Sequence, residues 1–328
     1  MNTLRDEVGR THTYLRLSVT DRCNLRCTYC TPAEGIALRP HHEILTFDEI
    51  ERIVRIAAGL GVTKLRLTGG EPLVRRDLPI LAGRLTAIPG IQHVGLTTNG
   101  VLLGENLDGL VRAGISSINI SLDTLRRDRF RAITRRDEFD SVLSNIDLAL
   151  RSGIPRIKIN VVVMRGINDD ELPQFVDFVR ERRLMVRFIE YMPFKDNGWN
   201  AETMVTFEEM KSRIENFVEL IPLLERDRHT STKVFSIAGG TGTIGFITAM
   251  SDHFCGTCNR LRMSAKGELR SCLFLPSGVS VRDALRAGAT DDVIADLLQR
   301  SLTGKPLHHF DTDVLKDFNT NSMVHVGG

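Results

Sequence analysis

Apolar and polar positions follow two alternating rhythms over the first 200 residues. Six short runs, at 14–19, 64–68, 93–98, 117–122, 156–163 and 186–191, are rich in Val, Ile, Leu and Thr. Their length and β-branched content predict strands. Between them, apolar residues recur at helical spacing. Phe47, Ile50, Ile53, Val54, Ala57 and Leu60 fall on one face of such a segment. Thr46 stands before it as an N-cap, Glu49 three residues on completes a capping box, and Gly61 can end the helix. The same periodicity predicts helices over 78–87, 105–113, 139–152, 171–182 and 206–220.

Strand and helix in alternation predict a parallel sheet with right-handed crossovers. Six units are too few to close an eightfold barrel. The expected fold class is α/β: a partial (β/α)6 TIM-like barrel, open on one side and wide enough for a large substrate. Chemistry in such barrels gathers at the C-terminal strand ends. The first strand runs into a cysteine-rich loop and the second into Gly69-Gly70-Glu71-Pro72. The third ends in Thr97-Thr98-Asn99-Gly100, the fourth in Ser121-Leu122-Asp123 and the sixth in Glu190-Tyr191-Met192-Pro193. These are small and polar groups, suited to a polar cofactor.

After about residue 225 the rhythm changes. Short strands are expected at 234–237, 244–248 and 259–263, with a turn at Lys266-Gly267. A helix is expected from Thr290, with Val293, Ile294, Leu297 and Leu298 on its apolar face. The expected division is a barrel core over 1–225 and a smaller C-terminal α+β domain over 226–328. No repeat at solenoid spacing and no low-complexity tract interrupts the chain.

All six cysteines fall into two triads. Cys23, Cys27 and Cys30 are spaced C-x3-C-x2-C directly after the first strand. Cys255, Cys258 and Cys272 are spaced C-x2-C-x13-C. Four thiolates close around zinc or a cluster. Three thiolates on a four-iron cluster leave one iron open to bind a small molecule and pass it an electron. Zinc sites favour C-x2-C paired with a second such pair or with His, and the first triad has neither. The second triad leaves both readings open, because C-x2-C is a common zinc half-site and His253 or a cysteine from another chain can complete it. Beside it, Arg260 and Arg262 occupy alternate positions of a short strand and point the same way. Guanidinium pairs suit phosphate, which a structural zinc would not require.

Basic residues also recur inside the expected strands. Arg16, Lys64, Arg66, Lys158 and Arg187 lie there, and Lys64 and Arg66 share a face by parity. Charged groups are rarely buried without partners. Five of them on four strands point to a cationic lumen whose missing partners a triphosphate would supply. Arg156 opens its strand and is read as solvated.

The first triad, with Tyr29 before its last cysteine, resembles the signature of radical S-adenosylmethionine enzymes. Both triads together, with Gly69-Gly70-Glu71-Pro72, Thr97-Thr98-Asn99-Gly100, Cys258-Asn259-Arg260-Leu261-Arg262 and the terminal Gly327-Gly328, are similar to the GTP 3′,8-cyclase family of molybdenum cofactor biosynthesis. The likeness runs from Thr11 to Gly328. It implies two 4Fe–4S clusters, one on Cys23, Cys27 and Cys30 and one on Cys255, Cys258 and Cys272. It implies that Tyr29, Gly70, Ser121 and Met192 line S-adenosylmethionine. It implies that Arg16, Lys64, Arg66, Thr97, Lys158, Arg187, Arg260 and Arg262 contact GTP. The first triad, Arg260, Arg262 and the Gly327-Gly328 tail are then catalytic. The implied reaction uses an external electron donor. Cleavage of S-adenosylmethionine gives a 5′-deoxyadenosyl radical that takes the ribose 3′ hydrogen, and C3′ then closes on guanine C8. The resemblance further implies a homodimer and a downstream cyclic pyranopterin monophosphate synthase that consumes the product. From local chemistry alone, Met192 reads as core packing and the Gly-Gly tail as a frayed end.

Composition changes this picture little. A hydrophobic share of 42% and a charged share of 26% in 328 residues are ordinary for a globular chain. A formal net charge of +2 gives no ground for expecting nucleic acid. No apolar run approaches the roughly 20 residues that span a bilayer, and residues 1–10 have no apolar core for a secretory signal. A cytoplasmic protein is expected, in which cysteines serve as metal ligands rather than disulfides. Three rivals stand beside the cyclase reading: a peptide-modifying maturase with an auxiliary cluster, a two-cluster electron carrier, and a zinc-stabilised nucleic-acid-binding protein. The first carries seven cysteines in its C-terminal module where this chain has three, and the second needs no arginine-lined barrel.

Overall fold

The computed structural model describes residues 3–32, 34–35, 40–195, 197–224, 229, 231–276, 278–308 and 323. In the core, strands and helices alternate as β1 (Tyr14–Ser18), α1 (Phe47–Gly59), β2 (Lys64–Thr68), α2 (Leu78–Thr86), β3 (His93–Thr98), α3 (Leu103–Arg112) and β4 (Ser117–Ser121). They continue as α4 (Arg127–Thr134), α5 (Phe139–Arg151), β5 (Ile157–Val163), α6 (Leu172–Arg180), β6 (Met185–Glu190) and α7 (Phe207–Glu215). The remainder holds β7 (Leu220–Leu223), β8 (Lys233–Ile237), β9 (Thr243–Ile247), β10 (Arg260–Met263), β11 (Glu268–Arg270), β12 (Val279–Ser280), α8 (Val281–Arg286) and α9 (Asp291–Arg300).

Local chemistry explains why these segments form. In α1 the Thr46 hydroxyl accepts from the Glu49 amide at 3.1 Å and the Glu49 carboxylate accepts from the Thr46 amide at 2.7 Å, a complete capping box. Ile50, Ile53, Val54 and Ala57 are its buried stripe. Gly61 follows with φ +90°, the left-handed turn that favours glycine. Each core strand then splits its side chains by parity. Leu15, Leu17, Leu65, Leu67, Val94, Leu96, Ile118, Ile120, Ile159, Val186 and Phe188 are buried against the helices. The opposite parity carries the polar and charged residues.

The described strands make one twelve-stranded sheet, in the order β12-β11-β10-β1-β2-β3-β4-β5-β6-β9-β8-β7. From β10 to β9 every pairing is parallel. The parallel run thus holds two more strands than the expected six. β9 joins β6 and β10 joins β1, so segments from the last third of the chain extend both edges of the core. Short antiparallel strands finish each end.

Three further differences have local causes. The helix expected over 206–220 stops at Glu215, because Leu220 is drawn into pairing with Ile237. In α4, arginines dominate and only Phe130, Ile133 and Thr134 are buried, too narrow a stripe to register in the pattern. In α9, Ile294 and Leu298 are buried and Leu297 packs at the margin, but Val293 is 47% exposed: the helix rests on the core by a stripe narrower than its apolar content.

Candidate active site

The first triad sits on the loop that leaves the C-terminal end of β1. Cys30 and Thr31 amides both turn back to the Cys27 carbonyl, at 3.0 and 2.9 Å. Two neighbours hold this loop from outside. The Arg26 and Thr28 amides donate to the Thr134 and Ile133 carbonyls at the end of α4, and Arg135 Nη1 donates to the Arg26 and Thr31 carbonyls at 3.0 Å each. From below, Gly69 and Gly70 press against the same chain. A Cβ on Gly70 would lie 2.4 Å from the Arg22 carbonyl oxygen. The Gly-Gly pair is thus required by this close backbone approach, a reason the sequence alone does not supply.

Glu71 then ties the ends of β2 and β3 together. Its buried carboxylate accepts from the Leu73 amide at 3.0 Å, the Thr98 hydroxyl at 2.7 Å and the Asn99 amide at 2.6 Å. Burial outweighs these donors and pushes its pKa up to about 7. Asn99 so placed directs Nδ2 toward Cys23 Sγ at 3.8 Å and Asn24 Oδ1 at 2.7 Å.

Beside the loop opens a cleft of about 290 Å³, part of it open to solvent. Cys27, Tyr29, Asn99, Ser121 and Asp123 are among the residues that line it. The structure therefore brings together two of the residues expected to line the cofactor, Tyr29 and Ser121. The Tyr29 hydroxyl donates to Asp123 at 2.6 Å, and the Val162 amide holds the other carboxylate oxygen at 2.8 Å. Burial lifts Asp123 to about 6, and burial together with the Asp123 charge holds Tyr29 well above its ordinary value. Met192 is not among the residues that line this cleft. It packs against the buried cluster of Phe194, Met250 and Phe274, beside Cys272 and Met323.

The polar parity of the sheet forms the cationic wall. Arg262, Arg16 and Arg66 stand in register on three adjacent strands, and one step toward their N-termini lie Arg260, Tyr14 and Lys64. Arg66 reaches sideways across β3, donating through Nη1 to the Leu96 carbonyl at 2.9 Å and through Nη2 to Ser117 Oγ at 3.1 Å. Gly95 lies beneath it: a Cβ there would meet the Arg66 guanidinium at 2.5 Å, so a side chain would push the arginine out of this position. Arg187 donates to Asn160 Oδ1 at 2.6 Å, and its Nε has no hydrogen-bond partner among the described residues. Thr97 receives Asn119 Nδ2 at 3.4 Å, and Lys158 stands in register with Asn119 on β4. Arg156 is exposed, as expected. Burial, with the neighbouring guanidiniums, lowers Arg16 to about 10 and Arg187 and Arg262 to about 9. These cations stand close together, and their combined positive charge suits an anionic ligand.

The second triad is at the opposite end. Cys255 and Cys258 precede β10, which runs parallel to β1, so they lie at the N-terminal strand ends, with the arginine rows between the two triads. The first triad thus lies at the C-terminal strand ends, as expected, and the second does not. Here the chain enters the sheet from its last third. The Arg260 guanidinium lies 4.9 Å from the Phe254 ring centroid. Arg10 Nη1 donates to the Cys255 carbonyl at 2.7 Å, and Lys305 Nζ lies 3.6 Å from Cys258 Sγ. Burial raises the Cys258 thiol, but Arg260, Lys305 and Arg262 bring its pKa below the usual value. Gly327 and Gly328 lie outside the described residues.

Donor chemistry tests whether iron–sulfur clusters fit. None of the six cysteines forms a disulfide, and all are half-buried. In the first triad burial raises all three thiols, and the charges of its own members push Cys27 and Cys30 further, Cys30 to about 12. Thiolates that repel one another in a buried loop fit a cationic iron core. Among the described residues no three His, Cys, Asp or Glu side chains converge on a single metal ion. A four-iron cube instead offers each thiolate its own iron.

Comparison with known proteins agrees with this geometry. Residues 17–179 match the model of the Radical SAM superfamily, and residues 184–311 that of Molybdenum Cofactor Synthesis C. A crystal structure of SuiB from Streptococcus suis, bound to S-adenosylmethionine, superposes with a TM-score of 0.58 at 15% identity, over 84% of this chain and 65% of that one. The barrel and its first cysteine loop define a radical S-adenosylmethionine enzyme. Within that class the chain is 45% identical to the GTP 3′,8-cyclase of Moorella thermoacetica, over 93% of its own length and 95% of the relative's. It is 44% identical to the mitochondrial GTP 3′,8-cyclase of Arabidopsis thaliana, over 99% of its length and 83% of the relative's. The chain belongs to the GTP 3′,8-cyclase family, which uses a 4Fe–4S cluster and S-adenosylmethionine. It is also 46% identical to Molybdenum cofactor biosynthesis protein 1 of Drosophila melanogaster, and spans about half of that longer protein, 54%. No described helix is long and apolar enough to cross a membrane.

Sequence reasoning located both triads and the arginine parity. It placed Glu71 and Asp123 in the polar strand tips without giving either a role, and missed Tyr14, Asn160, Lys305 and Arg10. Polar residues at strand ends were a usable signal for Glu71 and Asp123, since both follow the strands whose tips were already singled out. Lys305 and Arg10 gave none, because their partners lie more than 40 and more than 240 residues away.

Proposed function

We propose that this chain converts GTP to (8S)-3′,8-cyclo-7,8-dihydroguanosine 5′-triphosphate, the first step of molybdenum cofactor biosynthesis. The observation that carries the reading is the register of Arg262, Arg16 and Arg66, with Arg187 on the same wall, between two cysteine triads at opposite ends of the sheet. A triphosphate is complementary in charge to this wall. Arg16, Lys64, Arg66, Thr97, Lys158, Arg187, Arg260 and Arg262 then hold the nucleotide, its base toward Cys255, Cys258 and Cys272 and its ribose toward Cys23, Cys27 and Cys30. Tyr29, Gly70, Ser121 and Met192 face S-adenosylmethionine at the first triad. Its cluster, when bound, supplies the electron that splits that cofactor. Glu71 and Asn99 fix the first triad's loop, and Asp123 fixes the Tyr29 ring. Gly327 and Gly328 are catalytic in the same reading. Residues 1–225 form the radical-generating part and residues 226–328 the part that holds the second cluster. An external electron donor, cytoplasmic location, a homodimer and a downstream cyclic pyranopterin monophosphate synthase belong to the same reading.

Anaerobic incubation with S-adenosylmethionine, dithionite and each nucleoside triphosphate, followed by mass analysis, tests it. GTP alone is expected to give the cyclised product; turnover of another triphosphate, or of none, rejects the assignment. Two variants separate the roles. Cys27→Ser is expected to abolish formation of 5′-deoxyadenosine. Arg260→Ala is expected to leave uncoupled cleavage intact and to weaken GTP binding by about tenfold or more, in keeping with the loss of a charge-assisted hydrogen bond worth ~1.5–3 kcal/mol. Full cleavage by the first, or an unchanged GTP titration for the second, contradicts this division.

A further inference from the structure

The second triad rests on a buried ammonium that the proposed reaction does not use. Lys305 follows α9 and is 6% exposed. Its Nζ donates to the Arg260 carbonyl at 2.8 Å and approaches the Cys258 carbonyl at 3.4 Å and Cys258 Sγ at 3.6 Å. Three donors thus meet two carbonyls and one sulfur. Among the described residues no carboxylate forms an ion pair with it. An ammonium buried against neutral carbonyls alone is costly. Besides those carbonyls it reaches Cys258 Sγ, a ligand of the proposed cluster, whose charge when metal-bound would offset that cost.

The backbone at Lys305 is itself pinned. Arg10 Nη2 donates to the Lys305 and Pro306 carbonyls at 3.1 and 3.0 Å, while its Nη1 holds the Cys255 carbonyl. Arg10 Nε is bound by Asp6 at 2.6 Å, and Asp6 also meets the buried His12 ring at 3.0 Å. The N-terminal turn, the triad loop and the chain after α9 are thereby gathered around one sulfur.

We infer that Lys305 is a positioning residue for the second triad: its N–H···S bond orients Cys258 as a thiolate ligand, and its buried positive charge raises the reduction potential of the cluster bound there. The inference rests on the second triad holding a cluster. Reduction adds negative charge to such a centre, and hydrogen bonds to its sulfurs and nearby cations stabilise that state.

The test uses the full chain, reconstituted anaerobically, with iron counted per chain and each cluster followed by paramagnetic resonance in a redox titration. Lys305→Met is expected to move the second cluster to a more negative midpoint while the first stays in place. Lys305→Arg, which keeps the charge, is expected to stay near the parent. An unmoved midpoint in Lys305→Met, or an equal shift in both variants, overturns the inference. Should Lys305→Met lose the second cluster's iron, retention by Lys305→Arg supports the role of charge, and loss from both overturns it. A parent chain that binds about four irons rather than about eight defeats the two-cluster reading itself, and this inference with it, before any variant is compared.

Discussion

Tyr14 shows how far a single residue's chemistry is set by its neighbours. Its hydroxyl lies 3.4 Å from Arg66 Nε, and Lys64 Nζ sits 4.8 Å from its ring centroid. Arg260 stands in register on the adjoining strand. Burial pushes the phenol up, but the charges of Arg66, Arg16 and Arg260 outweigh it and bring the pKa down to about 6. Because the folded value is depressed, the ionised phenol contributes stability that is lost as pH falls through about 6 and is fully present above the ordinary value of 10. An ultraviolet difference titration between the parent and Tyr14→Phe is expected to show a phenolate band rising near pH 6. GTP should move that midpoint upward, since the triphosphate neutralises the same guanidiniums. A band that rises only near pH 10 without nucleotide rules this out. The cations of this wall were legible from strand parity. The tyrosine among them was not, because an aromatic at a strand start reads as ordinary sheet propensity.

At the scale of elements, strands and capped helices were legible because their causes are local. The Thr46 capping box, Gly61 and the alternation of Lys64–Thr68 need only neighbours within a few residues. The loop of the first triad is different: its shape is fixed from β2, β3 and α4, through Gly70, Glu71 and Arg135. Its sequence gives its ligands but not its support. Gly70 offers a direct test of that support. A Cβ there would meet the Arg22 carbonyl carbon at 2.7 Å and the Asp21 oxygen at 2.9 Å, both backbone atoms that have little freedom to move. Gly70→Ala is therefore expected to displace the start of the cysteine loop. Iron per chain should fall by roughly half, the share of one of two four-iron clusters, while far-ultraviolet circular dichroism stays near the parent's. A variant that keeps its full iron rejects this account of the Gly-Gly pair.

The whole molecule is joined more closely than its sequence pattern implies. The change of rhythm near residue 225 suggests a separate second unit, yet β9 and β10 complete the parallel run on either flank of the core. This was not legible because parallel neighbours can be distant in sequence: Leu17 pairs with Met263, and Phe188 with Phe246. The packing follows the pairing. Phe246 lies within 5.1 Å of the Phe207 ring, 5.7 Å of Phe235 and 5.9 Å of Phe188, so one aromatic cluster spans both sides of the expected boundary. Leu261 and Met263 are each 1% exposed in the same core as Leu15 and Leu17. Removing residues 226–328 would leave β1 and β6 as open parallel edges with their apolar faces partly uncovered, a condition that favours aggregation. The chain is therefore expected to unfold in urea as one cooperative unit. Trp199, the sole tryptophan, reports the region after β6. Its fluorescence should change over the same denaturant range as the far-ultraviolet signal, and a fragment of residues 1–225 should fail to give a soluble monomer. Bound clusters preclude a single unfolding free energy, so the coincidence of the two probes is the criterion. An early transition confined to the C-terminal third, with tryptophan fluorescence still native, would show that the shared sheet does not couple the two parts.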